Sequence, residues 1–408
     1  MRESPAASPR PSGLTTRLKD AALFVCLTAL LLGTLEILAR VYYHLRPERE
    51  DAAAERAFGS RKDSAWTGEY MREFAESGKM SWHPYVYWRR DAFAGKYINV
   101  DSSGVRRTVN TRPGGHDSLR LFVFGGSAVW GPWIRDAQTI PSCLSRALND
   151  GAHRRVEVTN FGESGFVSTQ EVIQLMLELR KGNVPDEVVF YDGVNDVFSA
   201  FQNGEPGIPL NESNRVRSFQ GEPLSEWVTS HSELLTGLTR LRAKLSAGRP
   251  SITAAPSGAA GPGADLEQLA ERTLRVYEEN ARMVEALGRE YGFETFFIWQ
   301  PALFSKERLS PAEASYRESF DAGLAQFFRS VYAIAPRAGA HLAHFADFQG
   351  IFNGRDETVF IDYCHVKEQW DALIADAICQ TLYRSSARVT KGGGDRVAHT
   401  GGIDDYPQ

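Results

Sequence analysis

A serine follows directly on a run of large apolar residues in the segment LFVFGGSAVWG, residues 121–131. The apolar run predicts a buried strand, and Gly125 and Gly126 permit a tight turn at its end. Ligands of open parallel sheets bind at the carboxyl ends of the strands. Ser127 is therefore well placed to act as a nucleophile. Taken alone, however, it is more simply interpreted as the N-cap of the next helix.

Three other polar segments stand where strands are expected to end. They are Asn160-Phe161-Gly162, Gly193-Val194-Asn195-Asp196 and Asp362-Tyr363-Cys364-His365. Each has a simpler interpretation by itself, because the first two are typical of turns. An Asp-x-x-His is commonly a helix cap with a surface histidine. In this chain order, and all at expected strand ends, the four segments together indicate one catalytic site.

Strands and helices alternate along most of the chain. Strands are expected at RLFVF, RRVEVTNFG, PDEVVFYDG, FETFFIWQP and, more weakly, HLAHFADF. Helical spacing is found in TIPSCLSRALND, in STQEVIQLMLELRKG, in the segment that begins near Asp265 and in KEQWDALIADAICQTLYR. The alternation predicts a parallel sheet with helices on both faces. The short, continuously apolar strands agree with burial on both sides.

The four segments resemble the blocks of the SGNH, or GDSL, hydrolase superfamily, which are named Ser, Gly, Asn and His in that chain order. The matching residues are Ser127, Gly162, Asn195, and Asp362 with His365. The resemblance covers about residues 118–385. It implies an α/β fold, a three-layer α/β/α sandwich with a five-stranded parallel sheet of the flavodoxin-like SGNH type.

The resemblance also implies a mechanism that the residue types support. Ser127 would attack an ester carbonyl, and His365 would act first as general base and then as general acid. Asp362 would orient the imidazole. The oxyanion hole would consist of the backbone N–H groups of Ser127 and Gly162 and the side-chain amide of Asn195. No metal and no other cofactor is expected.

Two departures from the family pattern concern the geometry of the site. The family's Gly-Asp-Ser is Gly-Gly-Ser here, with Gly126 in place of the aspartate, so the local hydrogen bonds of that aspartate are lost. After His365 stand residues 366–370, VKEQW, where a glycine–asparagine pair often follows. Neither departure removes a residue of the predicted triad.

Other residues with functional chemistry received a structural interpretation. Trp130 and Trp133 follow the nucleophile closely, and packing in the core or at the rim is favoured over stacking on a sugar. His341 and His344 would point to opposite faces of a predicted strand, which argues against a shared metal. Cys364 lies beside the histidine, and a small buried residue is favoured over a rival nucleophile.

An apolar segment near the N-terminus, residues 21–39, is long enough to span a membrane. It carries one charge, Glu36, which can pair with Arg40 four residues on. No clean cleavage site follows, so an uncleaved signal anchor is favoured over a cleaved signal or a buried helix. Basic residues before the segment favour a cytoplasmic N-terminus and a periplasmic or extracellular catalytic domain.

The expected organisation of the chain follows from these elements. It comprises a polar tail at 1–20, the anchor at 21–39, a stalk and pre-domain segment at 40–117, the hydrolase domain at 118–385 with a flexible insertion at 244–264, and a disordered tail at 386–408. Residues 99–107, NVDSSGVRR, resemble a segment that membrane-anchored members of the superfamily carry before the nucleophile, and we expect them to pack near the site. Residues 200–265 are poorly periodic and suit a lid.

Composition and charge narrow the possible partners. With 408 residues, 42% of them hydrophobic, the chain can bury a sizeable core, and its net charge of -5 without a basic stripe argues against nucleic acid. The four cysteines lack metal spacing, and at most one disulfide can form among Cys143, Cys364 and Cys379.

The expected function is that of a membrane-anchored serine esterase for small acyl esters, above all O-acetyl groups on a cell-surface polysaccharide. Two alternatives remain open: an O-acyltransferase that uses the same acyl-serine, and a non-catalytic carbohydrate-binding or assembly protein on the same fold. The sequence does not indicate an oligomeric state.

Overall fold

The structure is a computed structural model. It describes residues 13–44, 56–59, 65–109, 111, 118–150, 155–220, 232, 235 and 265–392. The chain divides into two units, one of residues 1–52 with 216–250 and the other of residues 53–215 with 251–408. The expected insertion at 244–264 and much of the suspected lid at 200–265 lie outside the described residues.

The first unit contains a long apolar helix, α1, Gly13–His44. Its stretch Arg17–Val41 is long and apolar enough to cross a membrane and is not buried against the protein. Arg40 Nε lies 3.0 Å from Glu36 Oε1, the pair that the spacing predicted. Ser232 Oγ also donates to Glu36, at 2.8 Å. A signal sequence would form a similar helix, so the anchor stays a prediction.

The second unit begins with small elements that precede the central sheet. They are α2, Ala65–Glu76, and the strands β1, Met80–His83, β2, Tyr87–Arg90, β3, Phe93–Ala94, and β4, Asn99–Val100. β1 pairs with β2 and β3 with β4, both antiparallel. Aromatic and aliphatic side chains of this part pack against Trp130 and Ile361, so part of the segment before residue 118 is attached to the α/β domain.

Five parallel strands form the central sheet. They are β5, Ser118–Gly125, β6, Arg155–Asn160, β7, Glu187–Asp192, β8, Glu294–Trp299, and β9, Phe345–Asp347. Their order across the sheet is β6-β5-β7-β8-β9, and every pair is parallel. This is the flavodoxin-like order, with the chain reversing direction across the sheet beside β5. The predicted strands and their parallel arrangement are confirmed.

Helices cover both faces of this sheet. The helices that follow β5 in the described part of the chain are α3, Ser127–Trp130, α4, Ile140–Asp150, α5, Ser168–Arg180, α6, Val194–Asn203, α7, Glu212–Gln220, α8, Leu266–Tyr291, α9, Pro311–Glu318, α10, Ala322–Gly339, and α11, Glu368–Gly392. Helices α4 and α11 pack on one face, and α5, α6, α8 and α10 pack on the other. The predicted three-layer α/β/α architecture is confirmed.

Successive side chains of each strand enter two different cores. The core under α5, α6, α8 and α10 receives Phe122, Phe124, Phe190, Phe297 and Trp299. The core under α4 and α11 receives Leu121, Val123, Val189, Tyr191 and Ile298. Because both faces of the sheet are covered, the strands appear in the sequence as continuous apolar runs.

Two helices between β8 and β9 were not expected from the sequence. Helix α9 begins at a capping box in which Ser310 and Glu313 accept each other's backbone N–H groups. Helix α10 begins at Asp321, whose side chain caps its first turn. The strand predicted around His341 and His344 was placed wrongly, because only Phe345–Asp347 pair with β8 and both histidines lie in the turn before them.

The remaining expectations about the chain concern its end and its cysteines. Helix α11 continues to Gly392, past the expected domain end at residue 385, and residues 393–408 lie outside the described part. The proposed domain boundaries therefore stay predictions. All four cysteines are described, and none of them forms a disulfide.

Candidate active site

The carboxyl end of β5 positions the serine. The strand ends at Gly125, and helix α3 begins at Ser127 immediately after a bend at Gly126. Ser127 Oγ lies 2.7 Å from His365 Nε2, and His365 Nδ1 lies 2.6 Å from Asp362 Oδ2. The three residues predicted as a triad thus form one continuous chain of hydrogen bonds. Ser127 and His365 are 238 positions apart in sequence, so the fold itself brings them together.

The carboxylate of Asp362 is held by its own loop. Its Oδ1 accepts the backbone N–H groups of Cys364, at 2.9 Å, and His365, at 2.8 Å. Burial opposes ionisation of Asp362, but the neighbouring imidazole and these N–H donors outweigh it, so the pKa of Asp362 lies below its usual value. The acid is therefore ionised when it orients the imidazole.

A residue from before the domain braces this loop. Arg56 Nε donates to the carbonyl of Ile361 at 2.7 Å, and Ile361 N–H donates to the carbonyl of His365 at 2.8 Å. The Arg56 guanidinium also lies over the ring of Tyr316, 5.1 Å from its centroid. Arg56 and Tyr316 line a cavity of about 200 Å³ that borders Asp362. This contact was not predicted from the sequence.

Cys364 is adjacent to the histidine but is a poor candidate for the nucleophile. Its side chain is buried, and Sγ lies 3.6 Å from His365 Nδ1, the nitrogen already engaged by Asp362. Burial, reinforced by the negative charge of Asp362, raises the pKa of the Cys364 thiol well above its usual value. Cys364, Asp362 and His365 are near enough to share a metal ion. The imidazole and the carboxylate are, however, bound to each other.

Asn195 enters the site from the end of β7. Helix α6 starts directly after Gly193, and Asn195 in its first turn donates Nδ2–H to the carbonyl of Phe166 at 2.7 Å. The same amide lies against Gly126, next to the nucleophile. The two hydrogens of Nδ2 allow one bond to Phe166 and a second to a substrate oxygen.

The two glycines after β6 differ in how their N–H groups are used. Gly162 N–H donates to Asn160 Oδ1 at 2.9 Å, so the oxyanion role predicted for it would require that bond to break. Gly165 lies in the turn before Phe166 at φ +78°, and its N–H has no acceptor in the described part of the chain. The motif Asn160-Phe161-Gly162-Glu163-Ser164-Gly165 contains both glycines, and sequence reasoning considered only the first.

Known structures with this arrangement of elements were found by comparison. No family model matches the chain, and no curated protein matches it in sequence. A lipolytic protein of the G-D-S-L family from Veillonella parvula DSM 2008 is 14% identical, with a TM-score of 0.35 and coverage of 65% of this chain and 100% of that one. The acetyl xylan esterase AlAXEase is 12% identical, with a TM-score of 0.33 and coverage of 65% of this chain and 99% of that one. A lipase/acylhydrolase from Enterococcus faecalis is 17% identical, with a TM-score of 0.34 and coverage of 64% of this chain and 96% of that one.

The chain is similar in fold to GDSL-type hydrolases. Likeness at these values concerns the arrangement of elements alone. Any activity therefore has to be inferred from the residues of the site.

The segment at 99–107 supports the turn that follows the nucleophile. Arg106 is fully buried, and its guanidinium donates to the carbonyls of Trp130, Gly131 and Ile134 at 2.6–2.7 Å. Its Nε also pairs with Asp136 Oδ1 at 2.9 Å. These carbonyls come from the end of α3 and the loop after it, where backbone groups lack helical partners. Arg106 thus fixes the loop that holds Ser127 in place.

The two tryptophans after the nucleophile pack inside the protein. Trp130 is fully buried, with the guanidinium groups of Arg90 and Arg106 at 3.7 and 4.3 Å from its ring. Trp133 is half-buried and its ring lies 4.8 Å from that of Phe74. Packing was the favoured expectation for both, and Trp130 has no free face to offer a sugar.

A buried carboxyl cluster lies behind Asn195, and sequence reasoning missed it. Asp192, the last residue of β7, and Glu171 of α5 are almost fully buried, and their carboxyl groups are near enough to influence each other's ionisation. Burial raises the pKa of Asp192 to about 8, and that of Glu171 well above its usual value. Asp196 accepts from Ser168 Oγ at 2.6 Å, and burial raises its pKa to about 6. The cluster joins the helix that carries Asn195 to the start of α5.

Proposed function

We propose that this chain is a serine esterase that hydrolyses small acyl esters. The observation that carries the proposal is the hydrogen-bond chain from Ser127 Oγ through His365 to Asp362, at 2.7 and 2.6 Å. An alcohol at a strand end, an imidazole within reach of its proton and an ionised carboxylate behind the imidazole are the parts that activate a serine.

The reaction follows from these positions. Ser127 Oγ attacks the ester carbonyl while His365 Nε2 takes the hydroxyl proton, and His365 then returns that proton to the leaving alcohol. Water, deprotonated by the same nitrogen, releases the acid from the acyl-serine. We infer that the oxyanion binds to Ser127 N–H, to Asn195 Nδ2–H and to one glycine N–H, and we favour Gly165 over Gly162 because the latter's N–H is already donated.

We further propose that helix α1 anchors the enzyme in a membrane with the catalytic domain on the periplasmic or extracellular side. The apolar stretch Arg17–Val41 supports anchoring, and the basic residues before it support the orientation. An exported and anchored esterase would meet the acylated polymers of the cell surface. On this basis we propose O-acetyl groups of a cell-surface polysaccharide as the substrate.

The experiment that tests the esterase uses the full chain in detergent. Wild type and Ser127→Ala are assayed on nitrophenyl acetate, butyrate and octanoate, and both are treated with a fluorophosphonate. We expect activity on acetate that falls with acyl length, and labelling of wild type that is lost in Ser127→Ala.

Three outcomes would contradict the proposal. A folded wild type that takes no label would be a non-catalytic protein. Equal activity in Ser127→Ala would place the chemistry elsewhere. Labelling without release of free acid, accompanied by acyl transfer only when a sugar acceptor is added, would make the protein a transferase.

A further inference from the structure

The β1–β2 hairpin presents aromatic rings to solvent. Trp82 is 67% exposed and Tyr85 is 66% exposed, which is unusual for side chains of this size. Trp82 lies in β1 and Tyr85 in the turn that joins β1 to β2. Exposed aromatic patches of this kind mark binding surfaces.

The hairpin is attached to the turn that borders the active site. In β2, Trp88 Nε1 donates to the carbonyl of Ser164 at 2.9 Å, and the Trp88 ring lies 5.6 Å from that of Phe166. A Cβ built on Gly165 would lie 3.6 Å from the same indole. Phe166 in turn accepts the hydrogen bond of Asn195. The hairpin therefore contacts the turn that carries Gly165, the proposed oxyanion donor.

The backbone of the hairpin turn is held in a strained form. Tyr85 has φ +71° and Tyr87 has φ +74°, a region that large side chains rarely adopt. Between them Val86 is fully buried, and its carbonyl accepts from Gln170 Nε2 at 2.7 Å. Glycine would adopt these φ angles without strain, but both positions are occupied by tyrosine. Strain of this kind is concentrated at functional sites.

Of the two exposed rings, that of Trp82 is also held in place by neighbouring side chains of the hairpin. The Trp82 and Tyr87 rings lie 5.2 Å apart, and Arg215 lies over both the Tyr87 and the Trp88 rings, at 4.7 and 5.2 Å. A ring that is already ordered loses little conformational freedom when a ligand binds. The nearby charge of Lys79 is paired with Asp91 at 3.0 Å, so the surface offers flat rings more than an electrostatic attraction.

We propose that the β1–β2 hairpin is a subsite for the sugar chain that carries the ester, with pyranose rings stacked on Trp82 and Tyr85. The inference rests on the proposed function, because it places the glycan beyond the acyl group bound at Ser127. The apolar face of a sugar ring complements an aromatic ring, and its hydroxyls remain in water. Under this proposal a glycan of several sugars gains these contacts, and a single acylated sugar bound at Ser127 is expected to lack them.

The experiment measures binding to the full chain in detergent with the Ser127→Ala substitution, so that no ligand is consumed. The probes are O-acetylated xylohexaose, cellohexaose and chitohexaose, each compared with its acetylated monosaccharide by titration calorimetry. We expect Trp82→Ala/Tyr85→Ala to raise the dissociation constant of the best hexasaccharide by roughly tenfold and to leave that of the monosaccharide in place. Tyr85→Phe keeps the ring and is expected to keep the affinity.

Tyr291→Ala is the matched control, since this tyrosine is 45% exposed at the end of α8, just before the amino end of β8 and thus at the opposite edge of the sheet. Hexasaccharide affinities that are equal in wild-type, Trp82→Ala/Tyr85→Ala and Tyr291→Ala backgrounds would overturn the subsite. So would quenching of Trp82 fluorescence by brominated lipids in nanodiscs, which would place the hairpin at the membrane surface.

The two proposals fail in different ways. If the protein hydrolyses nitrophenyl acetate but its affinity for hexasaccharides is unchanged by substitution of Trp82, the subsite proposal is wrong and the esterase proposal stands. If hexasaccharide affinity depends on Trp82 but the protein has no esterase activity, the esterase proposal is wrong and the subsite proposal stands.

Discussion

The side-chain amide of Asn195 occupies the space that a side chain at position 126 would need. A Cβ built on Gly126 would lie 2.1 Å from Asn195 Nδ2, much closer than non-bonded atoms approach. The aspartate of the family's Gly-Asp-Ser therefore does not fit this site as it stands. The glycine that looked like a loss in the sequence is the residue that lets Asn195 reach the nucleophile.

Gly126→Asp, which introduces the aspartate of the Gly-Asp-Ser pattern, is accordingly expected to lower activity. The new side chain would displace Asn195 and the oxyanion donor with it, so kcat should fall by about a hundredfold or more. The measurement is kcat on nitrophenyl acetate, with thermal unfolding as a check of the fold. Gly68→Ala is the control, since a Cβ there meets nothing within 4 Å. Higher activity in Gly126→Asp would show that Asn195 has another position available.

Asn195→Ala tests the donor directly. Loss of one oxyanion donor typically lowers kcat by about 10²–10³ with little change in KM, because the bond is made mainly in the transition state. Asn203→Ala is the comparison, because Asn203 ends the same helix and its amide bonds to Ser199. A rise in KM at constant kcat would instead assign Asn195 to ground-state binding.

The backbone donor can be identified from a covalent adduct. In a crystal structure of the methylphosphonate ester of Ser127, we expect the phosphoryl oxygen within about 3 Å of Gly165 N and Asn195 Nδ2. Gly162 N–H should remain bonded to Asn160 Oδ1, as it is in the free protein. A phosphoryl oxygen on Gly162 N, with that bond broken, would restore the role first predicted from the sequence.

The buried carboxyl pair should make stability depend on pH. Since burial raises the folded-state pKa of Asp192 to about 8, the folded protein keeps a proton that the unfolded chain releases from about pH 4 upward. The free energy of unfolding should therefore decrease as pH rises from about 4 to about 8. Asp192→Asn removes this group, and its unfolding temperature should fall less over that range.

The control for this measurement is Asp150→Asn, which makes the same substitution at an exposed position. Parallel pH profiles of Asp192→Asn and wild type, measured by thermal unfolding from pH 5 to 8, would contradict the prediction.

Arg106 is expected to be irreplaceable by lysine. A lysine keeps the charge but cannot satisfy three carbonyls and Asp136 at once, because it lacks the planar fork of the guanidinium. Arg106→Lys should lower the unfolding temperature by several degrees and reduce kcat through a displaced Ser127. Arg107→Lys changes the exposed neighbour in the same way and should behave as wild type. Equal unfolding temperatures in the two variants would show that the loop does not depend on Arg106.

Local sequence patterns predicted the sheet, and together with the resemblance to the SGNH hydrolases they predicted the triad. Five apolar runs predicted the five parallel strands, and the strand ends pointed to Ser127, Asp362 and His365, which the fold brings into hydrogen-bond contact. These features are predictable because each depends on a short segment and on the general rule that parallel strands end at a common edge. The 3-residue spacing of Asp362 and His365 likewise determines their proximity.

What the sequence did not reveal depends on contacts between distant segments. Three such contacts were missed because no local pattern specifies how far apart the two groups lie in space. They are the interaction of Glu171 with Asp192, the hydrogen bond from Gly162 N–H to Asn160, and the hydrogen bond from Arg56 to Ile361. Helices α9 and α10 were missed for a different reason. Their signals are caps, at Ser310 and Asp321, and not a long apolar repeat.

The contact between Arg56 and Ile361 has a practical consequence for the preparation of a form of the protein without helix α1. Arg56 donates to the carbonyl of Ile361, and the N–H of Ile361 donates to the carbonyl of His365. A truncated protein that starts at residue 60 would keep every residue of the predicted triad. It would lack the hydrogen bond from Arg56 that stabilises the loop carrying Asp362 and His365. A truncated protein should therefore begin before Arg56. Weak activity in a shorter form could result from the loss of Arg56 and would not describe the chemistry of the full chain.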